Sequence, residues 1–284
     1  MEQLFTQEEV HKALHPVRLD DKTVALVPTM GALHDGHLSL IRAAQARADY
    51  VVVSVFVNPI QFGPTEDFDA YPRDLPADLD VLDAEGVDAV YTPSVDTMYR
   101  PGSTTTVEPG PLGDVLEGLT RPGHFRGVCT VVAKVFTTVR PDLAFFGEKD
   151  FQQLAILRRM ADDLDMPVRL VGCPIVRESD GLALSSRNVY LSEGERRAAT
   201  VLSRALATAA AAVRVGERDA RALCAMLETT IAEEPLAALD YAAIVDAHTL
   251  GELAEVDREA RALLAVRIGS TRLIDNAPLV PTPA

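Results

Sequence analysis

The chain has 284 residues, room for one large domain or two smaller ones, each with a core of its own. Asp and Glu number 42 against 27 Lys and Arg, and the resulting net charge of -15 excludes a protein that coats nucleic acid, whose surface must attract phosphates. Trp is absent and aromatics are only 5%, which argues against a stacking platform for single strands, and no apolar run approaches the ~20 residues of a membrane span.

The segment from Met1 to Leu14 carries Glu2, Glu8 and Glu9 and lacks the apolar stretch of a signal peptide. The cysteines, Cys129, Cys173 and Cys224, are widely spaced and form no CxxC pair, so they are expected to be small buried apolar residues in a cytoplasmic protein. In chain order, Val24–Val27 predicts a strand, Leu38–Ala48 a helix, Val51–Val57 a buried strand, Leu75–Glu85 a helix and Ala89–Tyr91 a short strand. In Val128–Val139, Val131, Val132, Val135, Phe136 and Val139 fall on one helical stripe, although the β-branched content also suits a strand; the length favours helix. Asp142–Phe146 then predicts a strand, Asp150–Ala161 a helix and Val168–Val171 a strand. This alternation is that of a mostly parallel sheet with right-handed crossovers.

The second half differs. Ser192 is placed as the N-cap of a long Ala-rich helix ending near Gly216, with Glu193 and Glu195 in its first turn. Arg218–Glu233 predicts another helix, stopped by Pro235, and Leu239–Val245, Ala262–Ile268 and Thr271–Asp275 predict strands. Helices followed by short strands indicate a small α+β domain. The expectation is an α/β domain over 1–175 and an α+β domain over 176–284, with a frayed tail at 278–284.

Four segments carry candidate chemistry. Pro28-Thr29-Met30-Gly31-Ala32-Leu33-His34-Asp35-Gly36-His37 joins a strand to a helix. A helix N-terminus offers free N–H groups and a positive dipole end to a phosphate, and two histidines three residues apart reach one ligand. A third ligand for zinc is lacking nearby. Asn58-Pro59-Ile60-Gln61-Phe62-Gly63 follows the second strand and opens a loop to Asp74 with three prolines; its amides suit a small polar substrate. Gly147-Glu148-Lys149-Asp150-Phe151-Gln152-Gln153 again spans a strand-to-helix turn, with Lys149 as a phosphate cation and Gln153 one turn along. Leu184-Ser185-Ser186-Arg187 groups two hydroxyls and a guanidinium, good donors for phosphate oxygens.

The His34-Asp35-Gly36-His37 segment resembles the HxGH signature of the nucleotidylyltransferase superfamily. With Phe56-Val57-Asn58-Pro59-Ile60-Gln61-Phe62-Gly63, His124-Phe125-Arg126-Gly127-Val128, Phe145-Phe146-Gly147-Glu148-Lys149-Asp150-Phe151-Gln152-Gln153 and Gly181-Leu182-Ala183-Leu184-Ser185-Ser186-Arg187-Asn188, in that order, the chain closely resembles the pantoate–β-alanine ligases over essentially its whole length. The resemblance implies a Rossmann-like N-terminal domain, a smaller C-terminal lid and a homodimer. It implies ATP, (R)-pantoate and β-alanine as substrates, a pantoyl adenylate intermediate, and AMP and pyrophosphate as co-products. Magnesium arrives with the ATP.

By the same resemblance, His34 and His37 bind ATP and His37 is the proton donor, with Lys149 and Arg187 also catalytic. Met30, Gly31, Ala32, Leu33, Asp35 and Gly36 line the nucleotide with them, as do Gly147, Glu148, Asp150, Val176, Leu184, Ser185 and Ser186. Gln61 and Gln153 hold pantoate, with Asn58 as a weaker match, and Gln61 is shared with β-alanine. Tyr71 and Arg121 are further weak matches, and Asp78 is an indirect magnesium contact. Leu184 stands where members often have Met, which keeps the apolar contact. The alternative is another HxGH nucleotidyltransferase with a phosphorylated substrate, which would call for more basic residues than two glutamines. A tRNA-charging enzyme lacks support from the charge.

Overall fold

The computed structural model describes residues 1–64 and 66–281. The chain opens with β1 (Glu2–Leu4) and α1 (Gln7–Leu19), neither of which the apolar patterning announced. A capping box starts α1: Thr6 Oγ1 accepts the Glu9 N–H while the Glu9 carboxylate accepts the Thr6 N–H. Then follow β2 (Val24–Thr29), α2 (Asp35–Gln45), β3 (Tyr50–Val55), α3 (Leu75–Ala84), β4 (Ala89–Tyr91), and the short helices α4 (Val95–Met98) and α5 (Glu117–Thr120). The ambiguous Val-rich segment is helical, as α6 (His124–Val139), and β5 (Leu143–Gly147), α7 (Phe151–Asp163) and β6 (Arg169–Cys173) complete the first half.

All six strands pair in parallel, in the order β1-β4-β3-β2-β5-β6. Alternate residues of β2 go to opposite faces: Val24 and Leu26 join one buried cluster, with α1, α6 and α7, and Ala25 and Val27 another, with α2 and α3. Helices on both faces explain why these strands read as continuous apolar runs rather than alternating ones. Connections leave β2 toward β3 on one side, while β5 pairs on its other side, so the order reverses at β2. In open α/β sheets the carboxyl ends of strands at such a switch point form the ligand crevice.

The second half holds α8 (Glu193–Ala198), α9 (Val201–Arg214) and α10 (Ala220–Ala232) against an antiparallel sheet of β7 (Ala237–Asp246), β8 (Ala260–Ile268) and β9 (Thr271–Leu279). The Ala-rich helix expected to run unbroken from Ser192 is interrupted between α8 and α9. There the Thr200 and Leu202 N–H groups bond three residues back, to Arg197 and Ala199, and the Thr200 hydroxyl bonds the Arg197 carbonyl. A threonine hydroxyl that occupies a helix carbonyl in this way tightens the turn. Part of the tail expected to fray is strand: β9 continues through Pro278 to a fully buried Leu279. Pro278 is tolerated because β9 is an edge strand and needs no further N–H partner. Residues 282–284 lie outside the described ones.

Contacts divide the chain into two units. The first comprises residues 1–148 and 152–174; the second comprises 149–151 and 175–284. Cys129 and Cys173 are buried, Cys224 half-buried, and burial raises all three thiols, Cys129 to about 12.

Candidate functional site

The turn after β2 is built by strain and by one carboxylate. Gly31 has φ +80° and Ala32 φ +50°, both in the left-handed region. A β-carbon on Gly31 would stand 2.7 Å from Asp78 Oδ2, so only glycine fits. Asp78, buried in the first turn of α3, accepts the N–H groups of Ala32 at 3.0 Å and Leu33 at 2.8 Å. Both its oxygens are thus engaged in shaping the loop.

This shape delivers His34 as the N-cap of α2, which begins at Asp35, three residues earlier than the apolar pattern started the helix. His34 Nδ1 accepts the Gly36 N–H at 3.1 Å, and His37 Nδ1 accepts the His34 N–H at 3.3 Å. It is a capping box made of two histidines, their rings 4.2 Å apart. Because each Nδ1 is an acceptor, a neutral ring carries its proton on Nε2. The pair therefore presents two Nε2–H donors at a helix N-terminus, where negative charge is favoured.

After β3, Asn58 precedes and Gln61 ends a single turn, Pro59–Gln61, and both are buried. Asn58 Nδ2 donates to Gln61 Oε1 and to the Gly127 carbonyl, each at 3.1 Å, and the Tyr99 hydroxyl donates to Asn58 Oδ1 at 2.8 Å. Burial pushes the Tyr99 hydroxyl up, so it stays a donor. Gln61 Nε2 meets Met30 Sδ at 3.0 Å, which joins this turn to the histidine loop. A thioether is a weak acceptor, so that amide stays available to a carboxylate or hydroxyl. Gly127 lets α6 lie on the turn: a β-carbon there would be 2.4 Å from the Ile60 oxygen.

Gln61 is also held through its backbone. Its carbonyl accepts from His124 Nδ1 at 2.8 Å, His124 Nε2 faces Arg121 Nη1 at 3.0 Å, and Arg121 grips Glu66 with two bonds of 2.7 Å. Burial first, and the Arg121 charge second, push His124 down to about 4, so it is neutral with Nε2 as acceptor. Burial raises the Glu66 carboxyl, but the Arg121 hydrogen bonds and charge outweigh it and hold the group below the usual range. Sequence reasoning gave His124, Glu66 and Tyr99 no role; a histidine directly after Pro122-Gly123 was the available signal for the first. Tyr71 is buried, edge-on to Phe62.

After β5, two adjacent glutamines part company. Gln152 Oε1 accepts the Glu117 N–H, and its Nε2 donates to the Leu112 and Val115 carbonyls. Gln153 is half-buried and has no hydrogen-bond partner for its side chain among the described residues. Gly147 and Glu148 belong with Met30–His37 to the first unit, whereas Lys149, Asp150, Val176 and Leu184–Arg187 belong to the second.

In that second unit a hairpin pairs Val176 with Leu184, whose N–H reaches the Val176 carbonyl at 3.0 Å, and Arg177 with Ala183. It leads directly into Ser185, whose hydroxyl caps the turn Ser186–Tyr190 by accepting the Arg187 N–H at 3.3 Å. Lys149 Nζ lies 3.7 Å from Asp150 Oδ1 and is mostly covered. Among the described residues no group of three His, Cys, Asp or Glu side chains is arranged to hold a metal ion.

Comparison with known proteins places this geometry in context. The family model described as pantoate-beta-alanine ligase matches residues 2–278. The chain is 57% identical to the pantothenate synthetase of Roseiflexus castenholzii over 256 residues, 90% of this chain and 92% of that one. The crystal structure of pantothenate synthetase from Thermus thermophilus superposes with TM-score 0.93 at 47% identity, over 99% of this chain and all of that chain (100%). That of pantoate-beta-alanine ligase from Francisella tularensis, complexed with beta-gamma ATP and beta-alanine, does so with TM-score 0.79 at 32% identity, over 98% and 97%.

Proposed function

The chain belongs to the pantoate–β-alanine ligase family, and we propose that it joins (R)-pantoate to β-alanine through a pantoyl adenylate, converting ATP to AMP and pyrophosphate. A free carboxylate is a poor acyl donor, and adenylation supplies the leaving group. A pantoate carboxylate oxygen bonds to the α-phosphorus as the bond from that phosphorus to the bridging oxygen of the β-phosphate breaks, and pyrophosphate leaves. The β-alanine amine then bonds to the activated carbonyl carbon, loses a proton, and AMP leaves with the electrons of the acyl C–O bond.

The observation that carries this reading is the reciprocal cap of His34 and His37. Its two Nε2–H groups donate to phosphate oxygens, most strongly as charge passes to the departing pyrophosphate, with His37 the proton donor. Met30 to Gly36 line the nucleotide beside them, and Gly147 to Asp150, Val176 and Leu184 to Arg187 complete its contacts. Lys149 and Arg187 add charge-assisted bonds to the phosphates. Gln61 and Gln153 hold pantoate with Asn58, and Gln61 also meets β-alanine. The weakly engaged Gln61 amide and the unpartnered Gln153 side chain support those roles. Magnesium would arrive with the ATP, held by phosphate oxygens and water, and would neutralise phosphate charge.

A homodimer in the cytoplasm is part of the same proposal and rests on the family resemblance; no helix among the described residues is long and apolar enough to cross a membrane. The test is product order. ATP and pantoate together should release pyrophosphate without AMP, and AMP should appear only on addition of β-alanine. AMP formed without β-alanine at the steady-state rate would contradict the adenylate route.

A further inference from the structure

The small antiparallel sheet buries charged and polar side chains that the proposed chemistry does not use. Arg261, Asp275 and Asn276 are all under 7% exposed, at 6%, 3% and 2%. Buried groups of this kind are costly unless each is paired, so their pairing shows what they hold. Asn276 Nδ2 donates to the Lys149 backbone carbonyl at 2.9 Å. Its Oδ1 accepts from Arg261 Nε at 2.8 Å, which fixes the direction of the amide. The Arg261 guanidinium lies 4.1 Å above the ring of Phe151, two residues beyond Lys149. These contacts account for the grouping of Lys149–Phe151 with the second unit although the residues on either side belong to the first.

The neighbouring residue does the same for the other phosphate donors. Asp275 receives Arg177 in a two-pronged pair, Nη1 to Oδ2 at 2.6 Å and Nη2 to Oδ1 at 2.9 Å. Arg177 also donates to the Gly181 carbonyl at 3.0 Å, which clamps the hairpin that ends at Ser185. The Asn276 backbone N–H bonds Asp275 Oδ1 at 2.7 Å, which helps fix the carboxylate that receives Arg177.

We propose that Asp275, Asn276 and Arg261 are positioning residues that set Lys149 and the Ser185–Arg187 turn on one rigid strand, β9, so that both donor groups keep a fixed mutual arrangement toward the phosphates. The inference rests on the assignment of Lys149 and Ser185–Arg187 to the phosphates made above. Precise placement of such donors is what gives them their effect on the transition state, and a loosened support lowers the rate without removing the donor.

A double-mutant cycle tests it, read as the pantoate-dependent rate of pyrophosphate release in a single turnover. Asn276→Asp keeps size and removes the donor to the Lys149 carbonyl. It should slow adenylation at least tenfold in the natural chain, with the pantoate KM changed less than twofold. In the Lys149→Ala background it should slow the residual rate less than twofold. Arg261→Met, which keeps the apolar stem over Phe151, should follow the same pattern and serves if Asn276→Asp fails to fold by circular dichroism. Equal losses in both backgrounds would reduce these residues to stability alone and overturn the proposal, as would no loss in the natural chain. If Lys149→Ala itself left adenylation unchanged, the phosphate role of Lys149 would fall and this inference with it; loss at Lys149 without loss at Asn276 overturns this inference only.

Discussion

Asp78 Oδ2 stands where a β-carbon on residue 31 would come within 2.7 Å of it, so the carboxylate and the glycine define each other. Asp78 is the acceptor that holds the left-handed Gly31-Ala32 turn and hence the start of α2. Asp78→Ala should leave two half-buried N–H groups without their acceptor and cost about 1–3 kcal/mol of stability by urea denaturation. Pyrophosphate release should fall with it, because His34 and His37 lose their register. Gly31→Ala should be at least as damaging, since it adds both the clash and the φ penalty.

His124 gives a pH signature. The folded ring stays neutral down to about 4, while the unfolded one takes a proton below about 6.5. Between those values the unfolded state binds more protons, so stability rises with pH and is lost on acidification. Urea denaturation at pH 7 and pH 5 should show the natural chain losing about 2 kcal/mol more than His124→Gln over that interval. Parallel behaviour of the two proteins would disprove the buried neutral ring.

Gln152 and Gln153, though adjacent, should respond in opposite ways. Gln152→Ala breaks three hydrogen bonds to the 112–117 segment and should lower the denaturation midpoint by about 2–3 kcal/mol in free energy. Gln153→Ala should leave the midpoint within about 0.5 kcal/mol and raise the pantoate KM instead.

Gly127→Ala places a methyl group 2.4 Å from the Ile60 oxygen and 2.6 Å from Gln61 Cα. Relief requires the Asn58–Gln61 turn to move away from α6, at a cost of about 1–3 kcal/mol. The expected kinetic result is a raised KM for pantoate and β-alanine with the ATP KM little changed. A selective rise in the ATP KM would count against placing the two smaller substrates at Gln61.

The parallel sheet was legible because both of its faces are covered, so its strands stand out as apolar runs such as Val51–Val53. Residue segments that combine a strand end with His, Gln or Lys were legible for the same reason: strand ends at a switch point are where such groups collect. What escaped was carried by polar detail. The Thr6–Glu9 capping box marks α1, but the apolar stripe behind it, Val10, Leu14 and Val17, is short and diluted by charge. The break at Thr200 depends on a hydroxyl-to-carbonyl bond that composition does not reveal. The length of β9 was missed because Asp275, Asn276 and Pro278 look like a turn, whereas the first two are buried by partners far away in sequence. Asp78 likewise acquires its meaning only from Ala32 and Leu33, more than forty residues earlier.

The central claim is that the mutually capped histidines act on adenylate formation. The most direct measurement is a rapid-quench single turnover of His37→Ala with ATP and pantoate, β-alanine omitted, scored as pyrophosphate. The account predicts a burst slowed by about 100-fold or more, with the fold intact by circular dichroism and stability lowered only by the lost cap bond, about 1 kcal/mol. A burst at the natural rate in a folded variant would contradict it.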